Sequence, residues 1–576
     1  MEATAPIERR ATPVLPLLIE ALAERFGTRP ALESNAGTRD YRSLGEGVRR
    51  HARWALEQGL RPGDVVGLLM PNCPDYMVVW LGLNRVGIAV ALLNVNLTGE
   101  LLAHAIRSVA PRFVIGAGRL AQQLQAVRAQ VPAAVHFLGW GAGSEPLERM
   151  DTAVAACSAE PPAADHALPG LDDRALCIYT SGTTGAPKAA NVSHGRVLQW
   201  THWFAGMMDM SPGDRMYDCL PMYHSIGGVV APGATLLGGG TVVIRERFSA
   251  SEFWSDIVAE RCTVFQYIGE LCRYLLANAP DPRERAHSLR LCCGNGLRAD
   301  VWEQFRVRFG IPQILEYYAA TEANFSLYNC EGKPGAIGRI PPFISQGARV
   351  ALVKFDHETG APWRNESGWC ERCQASEVGE AIGQVTGASA AGRFEGYTSA
   401  TASEGKLLRG VFEPGDLWYR SGDLMRKDAQ GFFYFVDRVG DTFRWKGENV
   451  STTEVETVLA SCDHVTHAVV YGVHVAHADG RAGMAALITE PAFLLDEFAR
   501  VVTMRLPEYA RPLFLRVVPT IELTGTFRPQ KADLVRQGFD PAAVSGQLYL
   551  YDRGQKMYVA LDRALYESVL SGTLRL

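Results

Sequence analysis

The chain has 576 residues, 47% of them hydrophobic and 21% charged, with a formal net charge of -5 and a pI near 6.3. That length exceeds one compact core, so at least two domains are expected, and the composition is that of a soluble globular protein. The slightly acidic balance argues against a broad nucleic-acid-binding surface, although a local basic groove stays compatible with it.

The amino terminus, MEATAPIERRATPVLPLL, carries two adjacent arginines but lacks an apolar run followed by a small-residue cleavage site. No signal peptide is expected, and a cytoplasmic location follows as an expectation. GVRRHARWALEQGL from Gly47 has the spacing of an amphipathic helix. DVVGLLM from Asp64 reads as a strand, as does RFVIGA from Arg112. YMVVWLGLNRVGIAVALLNVNL from Tyr76 is the most membrane-like stretch. Asn84 and Arg85 interrupt it, which predicts a buried helix followed by a strand rather than a span. Peripheral membrane contact is left open. Gly141–Asp172, rich in Ala, Pro and acidic residues, reads as a surface connection.

Further strands are predicted at ALCIYT from Ala175 and GTVVIRE from Gly240, and a helix at ADVWEQFRVRFG from Ala299. EGYTSATASEGKLLRGV from Glu395 reads as an exposed excursion. Alternating strands and helices up to about residue 435 predict an α/β layered architecture. After Asp437 the pattern restarts. VSTTEVETVLASC from Val450 combines capping residues with helical spacing. HAVVYGV, AGMAALIT and LFLRVV read as strands, and LDEFARVVTMRL as a helix. The expected organisation is a large α/β multi-layer domain over 1–437 and a small α+β domain over 438–576.

The 12 cysteines are scattered and expected to be reduced and mostly buried. Cys370 and Cys373 have half the spacing of a zinc knuckle without a matching second pair, so no metal is expected there. Cys292 and Cys293 read as a buried strand end.

Between ALCIYT and the helix candidate HGRVLQWTHWF lies TSGTTGAPK. Its glycines, Gly182 and Gly185, let backbone N–H groups approach an anion, and Thr180, Ser181, Thr183 and Thr184 add hydroxyl donors. Lys188 adds a positive charge. The loop is not a Walker A motif, because no Gly-Lys-Ser/Thr follows the glycines. A plain polar hairpin is the alternative; the density of Gly, Ser and Thr ahead of Pro-Lys favours a phosphate loop.

YTSGTTGAPK resembles the signature of the adenylate-forming superfamily of acyl-CoA ligases, luciferases and peptide-synthetase adenylation domains. YYAATEANFSLYNCEGKPGAIGRIP, YFVDRVGDTFRWKGENVSTTEVE and TGTFRPQKADLVRQGFDP resemble its fatty-acid-transport-protein and very-long-chain acyl-CoA synthetase branch. The resemblance implies ATP or AMP, Mg2+ and CoA as cofactors and a small, mobile carboxy-terminal lid. An acid and ATP give an acyl-adenylate, from which CoA displaces AMP. It further implies that Thr321 and Glu322 hold phosphates and magnesium, and that Tyr318 stacks on adenine beside the Gly294-Asn295-Gly296 loop. Asp423 would accept the ribose hydroxyls and Arg438 would contact ribose or phosphate. His224 would stand between acid pocket and nucleotide, with Tyr223, Ile226, Gly227, Tyr267, Ile268 and Gly269 as pocket candidates. Gly440 would be the hinge, and Trp445, Lys446, Gly447, Glu448 and Asn449 would line the pantetheine tunnel. Alone, a Thr-Glu pair reads as a helix cap, Asp423 and Arg438 as a turn and an ion pair, and His224 as a structural histidine.

One position departs from the pattern. The lysine that bridges substrate carboxylate and α-phosphate falls on Arg528. Arginine keeps the charge, but its planar fork prefers side-on contacts. Lys531, the neighbouring cation, matches a position that is usually a basic surface residue. The expectation is an acyl-CoA ligase for a large hydrophobic acid, long-chain or polycyclic, with adenylation impaired and CoA transfer intact; a separate adenylating ligase would then supply the adenylate. The alternatives are a fully competent two-step synthetase and a lipid-uptake or acyl-binding protein without turnover.

Overall fold

The computed structural model describes residues 14–162, 167–180, 186–340, 350–357, 359–386, 392–446, 448–478, 480–524, 529–544, 546–574 and 576. Contact density divides the chain into two compact units. One is Met1–Arg349 with Gly383–Arg409 and Leu417–Tyr419; the other is Val350–Ile382 with Gly410–Asp416 and Arg420–Leu576. Antiparallel pairing, with Asp423 opposite Arg438, ties the strand Leu417–Lys427 to the strand Phe433–Arg438.

The first unit contains two large sheets. In the seven-stranded sheet the order is Glu148–Arg149, His136–Trp140, Phe113–Ala117, Val65–Leu69, Ala89–Leu92, Arg174–Thr180, Lys188–Ser193. Only the last pair is antiparallel. In the eight-stranded sheet, Leu291–Asn295 and Ile314–Ala319 are parallel neighbours, and Ser326–Asn329 closes the edge antiparallel to the latter. Parallel neighbours need helical crossovers, and these pack on the sheets.

The helix Pro74–Asn84 is buried at every residue but Asp75. It shares one apolar cluster with Leu68 and Val90 of the first sheet and Leu32 and Val242 of the second. A helix apolar on all sides is a core helix. The two polar residues that interrupt its sequence find partners inside the fold, although the buried Asn84 Oδ1 has none among the described residues. Asn84 Nδ2 donates to the Ile88 and Ala175 carbonyls at 2.9 Å each, and Arg85 pairs with Glu20 at 2.8 Å. The strand Ala89–Leu92 comes next, as expected. Among the described residues no helix is long and apolar enough to cross a membrane. The predicted surface connection from Gly141 holds a helix, Met150–Ala156, that buries Met150 and Val154.

The second unit is built around a five-stranded sheet ordered Val465–His474, Arg481–Thr489, Phe514–Val517, Gln547–Asp552, Met557–Ala560. The helix Thr452–Ala460 is capped by Ser451, whose side chain accepts from the Glu454 amide. Val455 and Leu459 of that helix, Phe498 and Val502 of the helix Leu495–Arg505, and the inner sheet face form its core.

Candidate active site

The TSGTTGAPK segment joins two antiparallel strands. Arg174–Thr180 ends where Lys188–Ser193 begins, with Thr180 opposite Lys188. Ser181, Gly182, Thr183, Thr184 and Gly185 lie outside the described residues, as do Gly447 and Arg528.

Thr321 and Glu322 sit in the turn after the strand Ile314–Ala319. Glu322 is 7% exposed, and the Tyr397 hydroxyl donates to its Oε1 at 2.7 Å. Burial and the Glu322 carboxylate push the Tyr397 hydroxyl far up from its ordinary pKa, and Thr180 lies within hydrogen-bonding reach of it. Tyr397 therefore stays a donor and brings the strand that ends at Thr180 and the Thr-Glu turn together. It lies in the stretch from Glu395 that the sequence predicts as exposed. The structure corrects that expectation for Glu395–Thr398, while Ser399, Ala400, Thr401, Glu404 and Gly405 are exposed as expected. Ala190 and Tyr397 form a β-bridge, and the Thr398 amide donates to the Ala189 carbonyl at 2.9 Å, which stitches the segment onto the strand Lys188–Ser193.

A second buried element supports the turn. Arg196, in the first turn of the helix His194–Met207, has a side chain only 3% exposed and faces Glu395, 7% exposed, at 3.4 Å. Its Nη1 donates to the Thr321 and Ala323 carbonyls at 3.2 and 2.7 Å, and its Nη2 to the Arg393 carbonyl at 2.7 Å. Glu395 also accepts from the Ser193 amide and hydroxyl at 2.7 and 2.6 Å. The guanidinium thus grips both carbonyls flanking Glu322. Planar forked donors suit such a task. Sequence spacing had singled out none of Arg196, Glu395 and Tyr397.

The Thr321 hydroxyl lies 3.4 Å from that of Ser225, the neighbour of His224. The His224 ring packs against Tyr223, with centroids 4.6 Å apart, and Asn96 donates to the Tyr223 hydroxyl at 3.2 Å. Ile226 opens a π-helical turn, Ile226–Val230. Such turns are rare and recur at functional sites. A side chain on Gly227 would put Cβ 2.6 Å from the Leu220 carbonyl oxygen, so glycine lets this turn lie on the segment that follows the strand Arg215–Asp218.

Gly294 and Asn295 end the strand Leu291–Asn295, and Gly296 has φ +78°. The Asn295 Oδ1 is buried and has no partner among the described residues, an arrangement that fits a donor such as an exocyclic amine. Tyr318 stacks on Phe325 at 5.9 Å. Gly269 packs under this loop so closely that a Cβ would fall 2.0 Å from the Gly296 carbonyl oxygen. Its neighbour Ile268 ends the adjoining strand, half-buried. Tyr267, expected in the acid pocket, is fully buried, with its hydroxyl 2.5 Å from Glu316 Oε2 and 3.1 Å from the Leu315 carbonyl. Burial pushes the Glu316 carboxyl up to about 8, so it is neutral near pH 7, and its Oε1 accepts from the Leu297 amide at 3.1 Å. This pair supports the Gly294–Gly296 loop from below.

In the second unit, Asp423 and Arg438 oppose each other on paired strands, 3.6 Å apart. Gly440 lies in the turn after Arg438. Glu448 and Asn449 are exposed, and Lys446, at φ +52°, lies over the Trp445 ring at 5.6 Å. Trp445 itself is 1% exposed in the core of the unit, which corrects its expected place along a ligand tunnel. Its indole anchors the hairpin instead. Lys531 is corrected too. Its side chain is 18% exposed and pairs with Glu456 at 3.2 Å and Asp441 at 3.6 Å, so it is no surface cation.

Residues 19–369 match the AMP-binding enzyme family and residues 454–528 its AMP-binding enzyme C-terminal domain. The chain belongs to the AMP-binding enzyme family. Long-chain fatty acid transport protein 1 of Mus musculus is 41% identical to it over 577 residues, covering 99% of this chain and 89% of that protein. Long-chain fatty acid transport protein 6 of Mus musculus is 42% identical over 527 residues, covering 90% and 84%. Among solved structures, a benzoate CoA ligase from Burkholderia xenovorans LB400 aligns with TM-score 0.75 at 23% identity, covering 91% of this chain and 99% of that one. The anthranilate CoA ligase AuaEII in complex with anthranoyl-AMP aligns with TM-score 0.77 at 20% identity, covering 93% and 98%. This AMP-binding enzyme therefore has the adenylate-forming fold, with a large amino-terminal and a smaller carboxy-terminal domain.

Proposed function

We propose that this AMP-binding enzyme is an acid-thiol ligase that converts a large hydrophobic carboxylic acid to its CoA thioester through an acyl-adenylate. The observation that carries the reading is the convergence of Thr180, Tyr397, Thr321 and Glu322 at the mouth of the phosphate-loop hairpin. In the first half-reaction the acid's carboxylate oxygen bonds to the α-phosphorus of ATP and the bond to pyrophosphate breaks. In the second, the CoA sulfur bonds to the acyl carbon, AMP leaves with the bonding electrons, and the thiol proton is released.

Glu322 offers an oriented, buried carboxylate of the kind that meets a magnesium ion arriving with nucleotide phosphates. The ion would neutralise charge on the transferring group. Arg196 and Tyr397 hold that carboxylate in place, and Asn295 is an acceptor for the base. The long-chain acid class is supported by the names of the fatty acid transport proteins that the chain resembles.

Arg528 in place of the usual lysine weights the enzyme towards its second half-reaction. A misplaced donor at a developing charge costs about 10²–10³ in rate. Lys531 is a poor substitute, since its ammonium is engaged by Glu456, Asp441 and Thr452. The test pairs ATP–pyrophosphate exchange with CoA transfer from synthetic acyl-AMP across a panel of acids. Slow exchange beside fast transfer is expected, with Arg528→Lys restoring exchange. Exchange as fast as overall turnover would reject the weighting and leave a fully competent two-step synthetase. Acid binding without ATP, CoA or any thioester would reject the ligase reading in favour of a lipid-binding role.

A further inference from the structure

A separate cluster of titratable groups surrounds Lys531, the first residue of the helix Lys531–Gln537. Its Nζ donates to Thr452 Oγ1 at 3.0 Å and faces Glu456 Oε1 at 3.2 Å and Asp441 Oδ2 at 3.6 Å. Thr452 Oγ1 in turn donates to Asp437 Oδ1 at 3.1 Å, and the Thr452 amide donates to Asp437 Oδ2 at 2.6 Å. Glu456 Oε1 also accepts from the Val470 amide at 2.8 Å. Asp437 is 2% exposed. Burial raises the Asp437 and Glu456 carboxyls, and it would lower Lys531, yet Glu456, Asp441 and Asp437 together outweigh it and raise that ammonium.

The position of this network in the chain matters more than its charge. Asp437 lies three residues before Gly440 and Asp441 one residue after it, while Thr452, Glu456 and Lys531 all come later. A rotation about the backbone of Gly440 moves Thr452 relative to Asp437. It therefore strips a buried carboxylate of two donors and withdraws the relay to Lys531, the costly case for buried charge.

We infer that Asp437, Thr452 and Lys531 form a latch across Gly440, and that they are positioning residues which set how readily the chain beyond Gly440 rotates away from Asp437. Two states that differ by a few contacts are shifted by whatever favours one of them. The kinetic consequence rests on the two-step reading above; the physical consequence does not.

The test uses the full chain with Lys531→Met, and with Thr452→Val as a second variant that breaks the relay while leaving every charge in place. Limited trypsin digestion is followed at Arg438 and Arg444, which flank Gly440. Cleavage of a transiently opened segment tracks the population of the open form. Both variants are expected to be cut there roughly five-fold faster or more, with other sites unchanged, and the ratio of pyrophosphate exchange to CoA transfer is expected to move by a similar factor. Cleavage at the wild-type rate in Thr452→Val overturns the latch. So does a parallel fall of both half-reactions at constant ratio, which marks a structural role. If the ligase reading fails, wild type shows neither half-reaction and the digestion alone decides.

Discussion

The Tyr397 hydroxyl donates to Glu322 Oε1 at 2.7 Å, across 75 residues of sequence. A phenol held neutral by its surroundings gives the carboxylate one fixed partner and orients its other oxygen.

Tyr397→Phe keeps the ring and its packing and removes the donor. A hydrogen bond to a charged group contributes about 1.5–3 kcal/mol. The expected outcome is a drop of about ten-fold or more in kcat/KM for ATP, with a higher magnesium requirement and a melting temperature within a few degrees of wild type. Unchanged magnesium dependence would separate Tyr397 from the metal-holding role proposed for Glu322.

Arg196 and Glu395 form a buried pair with several backbone contacts on each side. Removing one partner of such a pair costs about 3–5 kcal/mol, because the other stays buried and charged. Arg196→Met should lower stability by that amount in urea unfolding. Arg196→Met with Glu395→Gln should recover part of the stability but not the activity, because the carbonyls beside Glu322 remain ungripped. Recovery of full activity in the double variant would contradict the positioning argument.

Glu316 gives a signed pH dependence. Its folded-state pKa is raised from 4.5 to about 8 by burial, so the folded chain holds a proton there that the unfolded chain releases. The stability from this group is fully present below pH 4.5 and is lost as pH rises through about 8, at on the order of 1.4 kcal/mol per pH unit within that window. Glu316→Gln keeps the shape without the ionisation. Its stability relative to wild type should rise with pH across the window and level off above it, as read by urea midpoints at a series of pH values. A constant offset between the two proteins would show that Glu316 is ionised in the folded state.

Much of the architecture is legible from periodicity. The strand ALCIYT, the core helix that ends at Asn84 and the capped helix from Val450 lie where apolar spacing puts them, and the helix read from Gly47 is present but begins at Tyr41, because a single element's burial pattern is written locally. The family is legible as well, from TSGTTGAPK, YAATE, YRSGD and DRVGD in that order. What the sequence by itself determined is therefore the class of element at each place and the kind of chemistry.

The tertiary structure alone decided which polar residues are buried together. Ser193 and Glu395 meet across 202 residues, and Lys531 reaches Thr452 across 79. Composition made the stretch from Glu395 a loop and Lys531 a surface cation, since Gly, Ser, Thr and charge ordinarily mark solvent-facing chain. Packing reversed the first reading over Glu395–Thr398 and the second at Lys531. A charged side chain can be buried when a distant partner neutralises it, and no local pattern of residues records where that partner is.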